Sequence, residues 1–231
     1  MSLMITVVCL GLVHWQPLKR ALEKKGALVE LEGFLENLKE QDTMEKQYDF
    51  CRKYVLHGTP HVFEGRDNEF YEFRKRIAQK FDIPFHEIYI TGSGKLGFSP
   101  FKQKVFDYDS DIDVAIISPG LFQKIMKDIS QYQMSFRKAR AVVREKELET
   151  YHQFLEYVAL GWIRPDKLPI SFQMRTFKND WFDFFQSLSY GKSEVGNYKV
   201  NAGVFQSYEH LEDYIVSGLV DIKKSQYIRK K

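Results

Sequence analysis

The chain has 231 residues, 44% of them hydrophobic and 28% charged, a balance that excludes a disordered or collagen-like protein and fits one large domain. Lys plus Arg number 34 against 31 Asp plus Glu; the net charge of +3 is too small for a surface built throughout for nucleic acid. The two cysteines, Cys9 and Cys51, are too few for a disulfide scaffold or a four-ligand zinc site and point to a reducing, cytoplasmic setting.

Met4 to Val13 is an apolar run. A bilayer span needs about 20 apolar residues, so the run reads as a buried strand or a packed helix, and no membrane partner is expected. No basic residue precedes it and no small-residue cleavage site follows, which argues against a signal peptide. Leu18–Glu40 has apolar residues at helical spacing, with Gly26 as a point where it can split. Asp67–Phe81 reads as a helix opened by an Asp cap, with Phe70, Phe73, Ile77 and Phe81 on one side. His86–Thr91 and Asp113–Ser118 read as strands. Gly120–Gln131 and Phe136–Gly161 follow as helices, and Asn179–Tyr190 as a short aromatic one. Tyr198–Phe205 is a third strand and Ser207–Ser217 the last helix. The tail from Asp221 to Lys231 carries five basic residues; it reads as a solvated end or as an arm that touches phosphates. This order implies an α/β (α+β) fold: a small mixed sheet with flanking helices and a helical C-terminal portion. One domain spans 1–231. Its core is 67–118 with the strand 198–205, and its helical portion is 119–190.

The chemistry concentrates between Thr91 and Pro119, TGSGKLGFSPFKQKVFDYDSDIDVAIISP. A strand ends in Gly92-Ser93. Asp107, Asp109, Asp111 and Asp113 then alternate into an apolar strand. Residues two apart in a strand share a face, so Asp111 and Asp113 point together while Ile112, Val114 and Ile116 point away. Two carboxylates so placed repel each other unless a cation lies between them. Hard oxygen ligands at this spacing suit Mg²⁺ or Mn²⁺, which bind one or two carboxylates together with substrate phosphates. The glycine of the turn lets backbone come close to a phosphate, and Ser93 adds a hydroxyl.

Gly92-Ser93 followed by Asp111-Ile112-Asp113 at the head of an apolar strand resembles the DNA polymerase β-type nucleotidyltransferase superfamily, and DSDIDVAII is similar to its small bacterial-type members. The resemblance implies a metal-dependent enzyme that moves a nucleoside monophosphate from an NTP to an acceptor hydroxyl. It implies that Gly92 and Ser93 bind the triphosphate and that Asp111 and Asp113 are catalytic and hold Mg²⁺ (or Mn²⁺). Lys95 is close enough in sequence to reach phosphate, or to be a solvated lysine. The acceptor stays open among RNA, a small molecule, a protein and another nucleotide.

The sequence departs from the family in two ways. The spacer between Ser93 and Asp111 holds 17 residues, longer than the family's usual one, and reads as a flap over the site. The family also places a third carboxylate on a later strand, where YKVNAGVF offers only Asn201. Glu194, Asp180 and Asp183 are the other candidate acids, each also readable as a surface residue. The missing acid motivates an alternative, a catalytically impaired nucleotide-binding regulatory or partner subunit.

Other motifs fail on their details. Gly92-x-Gly94-x-x-Gly97 resembles a dinucleotide fingerprint, but Ser99-Pro100 interrupts where a long helix should follow. A Walker A loop needs Ser or Thr where Leu96 stands. A calcium loop needs Gly where Ile112 stands. The six histidines are scattered with no metal-ligand spacing. Trp15, Trp162 and Trp181 read as core, with base stacking as the other use.

Overall fold

The computed structural model describes residues 26–138, 144–169 and 172–228. The Met4–Val13 segment and the start of the Leu18–Glu40 helix lie outside the described residues, as do 229–231. A four-stranded sheet has the order β1 (Ile88–Thr91), β4 (Asp111–Ile117), β6 (Lys199–Phe205), β5 (Trp162–Ile163). β1 runs antiparallel to β4, β6 runs parallel to β4, and β5 runs antiparallel to β6. The sheet is therefore mixed and small with flanking helices, as the sequence implies, and the helices cover both of its faces.

The pleat of β4 explains the layers. Ile112, Val114 and Ile116 enter one core with Val200 and Val204 of β6, under α3 (Asp67–Phe81), α5 (Pro119–Arg137), α6 (Glu145–Ala159) and α7 (Phe172–Leu188). Ala115, Ile117 and Phe205 enter the other, under α1 (26–40), α2 (Met44–Phe50), the π-turn Cys51–Leu56 and α8 (Tyr208–Ile228). At the start of β4 that second face is uncovered, and Asp111 and Asp113 stand there exposed.

Several boundaries differ from the sequence reading. Asp67 is not the cap of α3: Arg66 holds the cap position without a side-chain hydrogen bond, and Asp67 is the first helical residue, accepting from the Thr59 hydroxyl at 3.2 Å. Its charge still favours the helix N-terminus. The strand ends at Ile117 because Ser118 caps α5, accepting from the Leu121 amide at 3.4 Å with Pro119 behind it. α5 runs on to Arg137 because Ile129 and Tyr132 extend its buried stripe. The long helix expected over Phe136–Gly161 does not form: α6 starts at Glu145, where the Arg144 amide donates to Glu147 Oε2 at 3.2 Å. α7 begins earlier than Asn179, since Met174 joins Trp181, Phe185 and Leu188 in the core.

The basic tail is helical through Ile228. Leu219 and Ile222 bury against the second core, and Lys223 donates to the Gln41 carbonyl at 2.6 Å. α8 is further anchored by Glu212, buried and bound by Arg52 at 2.7 and 3.1 Å. Among the described residues no helix is long and apolar enough to cross a membrane.

Candidate functional site

The site forms where β1 ends and β4 begins. Antiparallel pairing sets Thr91 opposite Asp113, so the chain leaves β1 beside the acid pair. Gly92 turns it with φ +63, and a Cβ there would lie 3.0 Å from Asp113 Oδ2. Both the positive φ and the close approach demand glycine. Gly92 and Ser93 open α4 (Gly92–Leu96), whose first amides have no intrahelical acceptor. The half-buried Ser93 hydroxyl has no hydrogen-bond partner among the described residues. The structure thus brings Gly92, Ser93, Asp111 and Asp113 together.

Parallel pairing with β6 completes the floor. Asp111 lies in register with Lys199, and Asp113 with Asn201. The Asn201 amide donates to Asp111 Oδ2 at 3.0 Å, and Lys199 Nζ is 3.9 Å from the same oxygen. The tip of Asp113 meets solvent, yet protein around it displaces much of its water shell. That desolvation first, and the Asp111 charge second, push its pKa up to about 6, with Lys102 and Lys199 pulling the other way. Lys102 belongs to the long spacer, which folds into a hairpin of β2 (Phe98–Ser99) and β3 (Lys104–Val105). Its charge acts on Asp113, which sets the hairpin turn near the acid pair.

Lys95 is placed otherwise. Its side chain is buried, and its ammonium donates to the carbonyls of His57 and Gly58, the latter at 2.7 Å. It fastens α4 to the segment after the π-turn, away from the phosphate contact expected of it. The outer members of the aspartate run also do other work. Asp107 closes the turn before β4, accepting from Ser110 Oγ at 3.1 Å and the Asp109 amide at 3.2 Å.

No third acid joins the pair: among the described residues there is no group of three or more His, Cys, Asp or Glu side chains arranged to hold a metal. Glu194 is bound by Arg76 at 2.5 Å, Asp180 by Lys80 at 2.7 Å, and Asp183 is exposed on α7. Asn201 holds the place beside Asp113 on the adjoining strand. The donor set still fits a single divalent ion, because two like charges at the head of one strand are relieved by a shared cation. Sequence reasoning missed Lys199, although its position two residues before Asn201 is a usable signal for the same face of β6.

No protein-family model matches the chain, no curated protein matches it, and no solved structure matches its fold.

Proposed function

We propose that the protein is a metal-dependent nucleotidyltransferase that binds an NTP with Mg²⁺ (or Mn²⁺) and transfers the nucleoside monophosphate to an acceptor hydroxyl. The observation that carries this reading is the packing of the Gly92 turn against Asp113, which sets a phosphate-binding bend beside two carboxylates of one strand face. Asp111 and Asp113 hold the ion. Lys199 and the Asn201 amide fix the orientation of Asp111. The Ser93 hydroxyl and the amides at the start of α4 receive the triphosphate. A divalent ion, when bound, supplies charge neutralisation at the α-phosphate during in-line attack. Asp113 accepts the ion only when deprotonated, so its raised pKa makes metal affinity climb between about pH 5 and pH 7.

Asn201 favours a second reading, a nucleotide-binding regulatory or partner subunit. A carboxamide cannot take a proton from an acceptor hydroxyl, and it ligates a metal weakly. Calorimetric titration of NTP with Mg²⁺, then transfer assays with labelled NTP against RNA and the protein itself, separates the two. Binding with product supports the enzyme. Binding without product supports the regulatory subunit. The absence of binding refutes both.

A further inference from the structure

We infer that the exposed ring of Tyr214 is the stacking platform for the nucleobase of the bound NTP, an inference that rests on the nucleotide reading of the acid pair. The face of β6 that carries Asn201 also carries Gly203 and Phe205, each one pleat further along. Trp162 of β5 lies flat on that face. Its ring stacks on Phe205 at 5.4 Å and 5°, and a Cβ on Gly203 would come within 2.4 Å of its Nε1. Only glycine leaves room for the indole, whose N–H edge extends along β6 from Phe205 toward Asn201.

Tyr214 of α8 packs on this indole with ring centroids 4.5 Å apart, and it stays 43% exposed. Its ring packs at a tilt against Trp162 and Phe205, which hold it in place. The Asp113–Asn201 pair lies one strand repeat from the Ala115–Gly203 pair, about 7 Å along the face. Trp162 Nε1 reaches this Gly203 position, so the indole carries the aromatic surface from Tyr214 to within one strand repeat of the acid pair. Burial raises the Tyr214 pKa; Tyr157 and, least, Asp113 add to the rise, and Arg164 opposes it. A rigid aromatic surface binds every base through its π-face, so the chemical class recognised is a nucleoside triphosphate of any base.

The test compares two ligands in the full chain with Mg²⁺: the best bound of ATP, GTP, CTP and UTP, and inorganic tripolyphosphate. Tyr214→Leu keeps apolar bulk on Trp162 but removes the π-face, and Tyr214→Phe keeps both. Tyr214→Leu is expected to weaken the NTP about tenfold and to leave tripolyphosphate within about twofold, with Tyr214→Phe restoring NTP affinity. Melting curves report whether each variant folds. An equal loss for both ligands, or no loss for the NTP, overturns the stacking role while the acid-pair reading stands. If neither ligand binds the wild-type chain, the acid-pair reading fails and this inference fails with it.

Discussion

Asp113→Asn in the metal-free protein should raise stability, and the gain should depend on pH. The folded carboxyl holds its proton up to about pH 6, against an ordinary value of 3.8. Between these values the native state binds more protons than the unfolded state, so wild-type stability falls as pH rises through that window. Below about pH 4 the carboxyl is neutral in both states and the variant gains nothing. Above about pH 6 the full difference is present. The rise in pKa sets a ceiling of about 3 kcal/mol. Asp113 is exposed at its tip, and solvent screening reduces this to roughly 1 kcal/mol. For a chain of this size that amounts to a few degrees, about 2–4 °C, in Tm. The assay is a set of melting curves from pH 4 to pH 8 in chelator, repeated with Mg²⁺ or Mn²⁺. The ion should raise the wild-type Tm and leave the variant unmoved. A variant as stable as wild type at every pH, or one still stabilised by the ion, refutes the paired-acid geometry. Asp111 is a poorer probe, because its oxygen also accepts from Asn201 and faces Lys199.

Three further outcomes test neighbouring parts of the site. Gly92→Ala should lose about 1–2 kcal/mol, read by chemical denaturation, from the positive φ, and should weaken Mg²⁺-dependent NTP binding by pressing on Asp113. Lys95→Met should lose about 1–2 kcal/mol because the His57 and Gly58 carbonyls lose their charged donor; calorimetry should give an unchanged NTP affinity, whereas a large loss would return Lys95 to the phosphate site. Asn201→Asp should lower metal-free stability by about 1 kcal/mol, since it removes a hydrogen bond and adds a third like charge. In titration with Mn²⁺ it should bind two ions where the parent binds one.

The amino-acid order alone determined the elements whose signal is local. Alternation fixed the common face of Asp111 and Asp113, the apolar run behind them marked a strand, and Gly92-Ser93 marked the preceding turn. The small mixed sheet with flanking helices followed from the order of such segments, and the structure placed those helices on both faces. Helix ends were less legible, because Met174 extends α7 and Ile222 extends α8 through burial against distant elements. The stretch from Met44 to Leu56, with its short helix and π-turn, carried no periodicity long enough to read. Only the tertiary structure set Asn201 against Asp111 across 90 residues of sequence, turned Lys95 away to the carbonyls of His57 and Gly58, and stood Tyr214 over the same face of the sheet. The physical reason is one of range. A strand's pleat is a property of neighbouring residues, whereas strand pairing and helix docking depend on which remote surfaces exclude water together, and no local pattern encodes that choice.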